Sequence, residues 1–88
     1  MNFESMQRLD DTAKELTVDG NVFPHHSWVL DEKGNSDGIV IIYGSTANSD
    51  DIIVFEYTLE NLKTAELVGN TVYLKNSAGK DSVIKFKK

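Results

Sequence analysis

The sequence predicts an α+β fold: an N-terminal amphipathic helix packed on a five- or six-stranded antiparallel meander sheet whose curl leads toward a half-barrel. Three observations predict it. Apolar residues recur at three- and four-residue steps only over residues 3–16. From residue 25 onward they fall into short β-branched and aromatic runs. The links between those runs are about two to eight residues long, too short for parallel crossovers, which need a dozen or more. All 88 residues are expected to form one domain, with the helix over 3–16 and the β region over 25–87.

Phe3, Met6, Leu9, Ala13 and Leu16 share one helical face, and Glu4, Gln7, Arg8, Asp11 and Lys14 fill the rest. Asn2 suits the N-cap, and Glu4 suits the positive end of the helix dipole. "TVDG" at 17–20 ends the segment with β-branched residues and a glycine stop. "SWVL" at 27–30 is expected as the first strand, opened by Pro24. "GIVIIYG" at 38–44 and "DIIVFEY" at 51–57 are the strongest strands, and their near-continuous apolar runs imply a central pair covered on both faces. "TLENLKTAEL" at 58–67 reads as one helical turn capped by Thr58, followed by a short strand near 65–68. "TVYLK" at 71–75 alternates cleanly, "NSAGK" turns the chain, and "SVIKF" at 82–86 closes the sheet.

Composition narrows the chemistry. The chain has no cysteine, so disulfides, thiol nucleophiles and Cys-based metal centres are excluded. No apolar run approaches the ~20 residues that cross a bilayer, and "MNFESMQRLDD" lacks the regions of a signal peptide. No Asn lies in an N-x-S/T sequon, and a cytoplasmic protein is expected. Net charge is −5, unevenly spread: residues 1–60 hold twelve acids and three bases, residues 61–88 two acids and six bases. An acidic front half opposes nonspecific duplex binding, which needs clustered Lys and Arg. Tyr73, Lys75, Lys85 and Lys87 give only a faint version of a nucleic-acid-binding sheet. No direct nucleic-acid partner and no membrane are expected.

"FPHHSWVL" at 23–30 holds both histidines and the only tryptophan. In a strand His25 and His26 point to opposite faces, so they cannot chelate one ion together. Catalysis by one of them needs an acid held on its own face. His26, Trp28 and Leu30 share a face, and packing is the expected role of the cluster. "DEKGNSDG" at 31–38 resembles an oxygen-rich cation loop, but Lys33 stands where a ligand belongs and Ile42 stands where a glutamate would. "GSTANSDD" at 44–51 lacks the second glycine and the lysine of a phosphate loop. There is no G-x-S-x-G, and the neighbouring acids Asp10–Asp11 and Asp50–Asp51 diverge. No catalytic residue, metal ligand or cofactor is assigned.

The expectation is therefore a small acidic, non-enzymatic protein-interaction module of the inhibitor or regulatory-subunit type. In its sharpest form Glu4, Asp10, Asp11, Glu15, Asp31, Glu32 and Asp37 mimic spaced phosphates and occupy a basic nucleic-acid-binding protein. The alternative is a homo-oligomeric assembly protein of bacterial or phage type. A third expectation is a small His-dependent hydrolase.

Overall fold

The computed structural model describes residues 1–31, 38–46 and 50–88. In chain order the elements are α1 (Phe3–Thr12), β1 (Glu15–Val18), β2 (Asn21–Phe23), β3 (His25–Asp31), β4 (Ile39–Ser45), β5 (Ile52–Thr58), α2 (Leu59–Lys63), β6 (Glu66–Val68), β7 (Thr71–Lys75) and β8 (Asp81–Lys87). The class is α+β with antiparallel pairing, as the sequence predicts. The sheet is not one meander of five or six strands. Among the described residues, eight strands form a five-stranded sheet, β2-β1-β8-β7-β6, and a three-stranded sheet, β3-β4-β5. Neither sheet closes on itself.

The helix ends at Thr12 rather than at residue 16. Its start is as expected: the Asn2 side chain accepts the Ser5 N–H, and Ser5 Oγ accepts the Asn2 N–H in return. Ala13 is already extended at φ −87°, ψ 142°. From there Leu16 and Val18 turn inward with a period of two, and the β-branched Thr17 and Val18 favour strand. Asp19 and Gly20 both take positive φ, 49° and 85°, the backbone of the tight Asp-Gly turn that joins β1 to β2. The β region thus begins at Glu15, and the "SWVL" segment belongs to the third strand, not the first. Downstream the sequence was easier to read. Thr58 caps α2 with Asn61 in a reciprocal box, and β6, β7 and β8 fall within two residues of expectation.

The two sheets face each other across the core. β1 and β8 supply Leu16, Val18, Ile84 and Phe86, β7 supplies Val72 and Leu74, and the three-stranded sheet supplies Val40, Ile42 and Tyr57. Aromatic pairs bridge the layers: Trp28 stacks on Phe86 with centroids 6.5 Å apart, and Phe23 meets Phe55 edge-on at 5.9 Å. Each such pair contributes about 0.5–1.5 kcal/mol beyond the area it buries. α1 brings Met6 into this core, and its Phe3 lies edge-on to Trp28 at 6.2 Å. A second bridge is polar. Tyr57 Oη donates to Ser82 Oγ at 2.8 Å, and Ser82 Oγ donates to the Asp19 carboxylate at 2.9 Å. Asp19 also accepts the Val83 N–H at 2.7 Å, so the β1–β2 turn is tied to β8 and through Ser82 to β5.

Edges are treated unequally. The five-stranded sheet ends on β2 and β6, three residues each, too short to template much pairing. The three-stranded sheet ends on seven-residue strands, β3 and β5. The β7–β8 turn reaches one of these, where the Ser77 N–H donates to the Glu56 carbonyl at 3.0 Å. β4 is central, whereas β5, expected as its central partner, is an edge strand because the chain leaves it for α2 and the other sheet.

Candidate functional site

The histidine pair divides as strand geometry requires. His25 is exposed and His26 half-buried, on opposite faces of β3. On the inner face His26 meets an acid that sequence reasoning could not place. Asp10, in the last turn of α1, accepts from His26 Nε2 at 2.7 Å, with both side chains less than one-fifth exposed. Nδ1 of His26 and Nε1 of Trp28 are buried without a hydrogen-bond partner among the described residues. A lone pair is less costly than an N–H to leave in that position, so the neutral ring carries its proton on Nε2. This pair fastens the C-terminal end of α1 to β3. Asp10→Ala should cost about 2 kcal/mol by stranding the Nε2–H, and Asp10→Asn, which keeps an acceptor, distinctly less. Urea denaturation of the three proteins checks this; equal losses would mean that the tether is not the hydrogen bond.

The acids expected to act together are dispersed. Glu4 is bonded to Arg8 at 2.6 Å on the exposed side of α1. Asp10 faces inward on His26, while Asp11 is exposed. Glu15 stands opposite Lys87 in the β1–β8 register, and Asp31 closes β3. Glu32 and Asp37, with most of the 31–38 cation loop and residues 47–49 of the second polar loop, lie outside the described residues. Among the described residues no three His, Asp or Glu side chains are placed to hold one metal ion, and no helix is long and apolar enough to cross a membrane.

On the outer face of the five-stranded sheet, Tyr73, Lys75, Lys85 and Lys87 do lie on one side, since Tyr73 pairs with Val83, Lys75 with Asp81 and Lys85 with Thr71. Acid is interleaved with them. Lys75 Nζ is bonded to Asp81 at 2.6 Å, and Glu66 stands opposite Tyr73. A 390 Å³ cleft lies between these residues.

The other sheet presents a different surface. Its register puts four rows on the outer face: His25–Ser45–Ile52, Ser27–Tyr43–Val54, Val29–Ile41–Glu56 and Asp31–Ile39–Thr58. Six of the twelve residues are large and apolar, and none of the six belongs to the core or packs against it. Ile52 is 66% exposed, Val54 57% and Val29 40%. They run as a diagonal band from Ile52 and Val54 on β5, through Tyr43 and Ile41, to Val29 and Ile39. His25, Ser27 and Ser45 flank the band on one side, Glu56 and Thr58 on the other. Seven-residue strands at ~3.4 Å per residue, three abreast at ~4.8 Å, give a face of about 24 by 14 Å, or roughly 340 Å². The six apolar residues hold about half of that face, roughly 170 Å². Its sequence signal was the near-continuous apolar run in β4 and β5, which implies cover on both faces. The protein's own helices supply none of it, because α1 packs on the inner side and α2 lies at the Gly38 end, where the Leu59 N–H donates to the Gly38 carbonyl.

Gly44 shapes one end of this surface. A Cβ there would lie 2.4 Å from the His25 carbonyl oxygen, so only glycine lets β4 approach β3 this closely beside the histidines. Comparison of the chain with protein-family models, with curated proteins and with solved structures gives no match.

Proposed function

We propose that the protein is a small, non-enzymatic interaction module of the cytoplasm that works by docking another polypeptide on the outer face of its three-stranded sheet, as an inhibitor or regulatory subunit would. The observation that carries this reading is the apolar band of Val29, Ile39, Ile41, Tyr43, Ile52 and Val54, in which Val29, Ile52 and Val54 are exposed and the three β4 residues between them half-buried. Leaving Ile52 and Val54 more than half exposed forgoes roughly 1–2 kcal/mol each relative to full burial, a free energy that a partner recovers on binding. The phosphate-mimic version has less support. Asp10 is turned to His26 and Glu4 is held by Arg8, which leaves fewer carboxylates to project together.

Salt and charge separate the two versions. Tagged wild-type protein and the double variant I52D/V54D are compared as baits in host lysate at low and high ionic strength. Docking on the apolar band predicts partners that survive high salt and are weakened about a hundredfold by the two substitutions. Phosphate mimicry predicts capture that collapses with salt and is indifferent to the band. Identical capture by both baits at every ionic strength would remove the apolar face from consideration.

A further inference from the structure

We infer that the free edge of β5, at Ile52 and Val54, adds an extended strand from another polypeptide, one whose alternating apolar residues are flanked by lysine or arginine. The inference rests on the reading of the neighbouring apolar band as protein-binding, and adds the conformation and composition of what binds.

Backbone phase carries it. In an antiparallel ladder every second opposed pair exchanges both hydrogen bonds. The Leu59 N–H donates to the Gly38 carbonyl, which makes Tyr57, Phe55 and Ile53 the residues of β5 that bond to β4. Ile52, Val54, Glu56 and Thr58 therefore aim their main-chain groups away from β4. Two bonds agree with this phase: the Thr58 N–H donates to Asn61 Oδ1, and the Glu56 carbonyl accepts the Ser77 N–H from the β7–β8 turn. Those contacts close the far end of the edge. The N–H and C=O groups of Ile52 and Val54 have no partner among the described residues, and their side chains are 66% and 57% exposed. Donors and acceptors repeating every ~7 Å along an extended chain are matched by another extended chain.

Side chains decide what that strand carries. Residues set opposite Ile52 and Val54 project onto the same outer face, with Cβ atoms about 5 Å apart, and apolar ones extend the band. Asp50 and Glu56 are exposed at the two ends of the stretch and favour a cation at each end. The other edge of the sheet is shielded. By the same phase β3 turns the main chain of His26, Trp28 and Leu30 outward, and a strand added there would push side chains into α1, whose Asp10 and Phe3 already meet His26 and Trp28. A second copy of β5, laid antiparallel, fits worse. Pairing Ile52 with Val54 sets Asp50 against Glu56 at both ends, and pairing Ile52 with itself sets Asp50 against Val54. Pairing Val54 with itself runs Ile52 into the turn bonded at Glu56.

The probe is the capped peptide Lys-Thr-Val-Thr-Val-Thr-Lys, titrated to about 2 mM into the isotope-labelled full chain and followed by NMR. The amide signals of Ile52 and Val54 are expected to shift with half-saturation below about 1 mM. N-methylation of the two peptide valines, whose N–H groups face the edge, weakens binding at least about tenfold, and so does glutamate in place of both lysines. V54P removes an outward N–H that no ladder bond uses, so the variant folds, as circular dichroism verifies, and no longer binds. V54A keeps that N–H and loses no more than about threefold. No shift up to about 2 mM, or shifts that N-methylation leaves unchanged, would overturn strand addition. Shifts centred on His26, Trp28 and Leu30 would move the added strand to β3 and overturn the assignment to β5. Lysate capture weakened by I52D/V54D but unchanged in V54P would overturn the edge and leave the docking face standing, and capture indifferent to both would overturn both.

Discussion

Replacing Asp19 by alanine is expected to lower the unfolding free energy by about 3 kcal/mol, a large share of the roughly 4–13 kcal/mol available to a domain of this length. Two causes combine. The residue stands at φ 49°, which most side chains adopt only at a cost of about 1–2 kcal/mol, while Asp tolerates it through local hydrogen bonding. Its carboxylate also accepts from the buried Ser82 hydroxyl and from the solvent-accessible Val83 N–H, and removal takes the acceptor from the buried donor. Two companion variants separate the causes. Asp19→Gly loses the carboxylate but is at ease at positive φ, so it should be about 1 kcal/mol less harmful than alanine. Asp19→Asn keeps both an acceptor and the turn preference, and should lose only about 1 kcal/mol. Denaturant midpoints at unchanged m-value report these differences. Equal losses for glycine and alanine would refute the backbone contribution, and three unchanged midpoints would refute the polar bridge.

Alkali should unfold the protein for a reason visible at Tyr57. This phenol is fully buried, and burial pushes its pKa up from 10.0 to about 12. The hydrogen bond with Ser82 works in the opposite direction, and the negative charge of Asp19 adds to the rise. The unfolded phenol ionises near 10, so between about pH 10 and 12 the unfolded chain has released a proton that the folded chain still holds. Stability from this group is complete below pH 10, falls as pH rises, and is gone above the folded pKa. The total is roughly 2–3 kcal/mol for a shift of this size. Tyr57→Phe should lose about 1 kcal/mol at neutral pH, because a hydrogen bond is removed, yet decline less steeply in alkali. Urea unfolding of both proteins from about pH 8 upward measures the difference, which also cancels the lysine titrations common to both. Parallel curves would show that the phenol ionises alike in both states.

Both predictions concern residues that sequence reasoning did not single out, because Asp19 and Ser82 are 63 positions apart and only the pairing of β1 with β8 brings them together. The same is true of His26. Strand periodicity sent it inward with Trp28 and Leu30, but the acid it meets belongs to a helix sixteen residues earlier. The segment 13–20 was misread for a related reason. Ala13 and Leu16 satisfy the helical period as well as Leu16 and Val18 satisfy the strand period, and β8 decides between them by offering a ladder to Glu15–Val18.

What the sequence determined by itself is local. It held the cap at Asn2, the strands rich in Ile and Val, the capped turn at Thr58, the closing hairpin, and the opposed faces of the two histidines, because each depends on backbone preference and side-chain period within a few residues. Tertiary structure decided the division into two sheets, the Asp10–His26 and Asp19–Ser82–Tyr57 links, and which apolar face the described helices do not cover. Those outcomes depend on which distant strand completes each ladder and where the short helices come to rest. A run such as Ile39–Tyr43 has the same residues whether one side of it or both are covered.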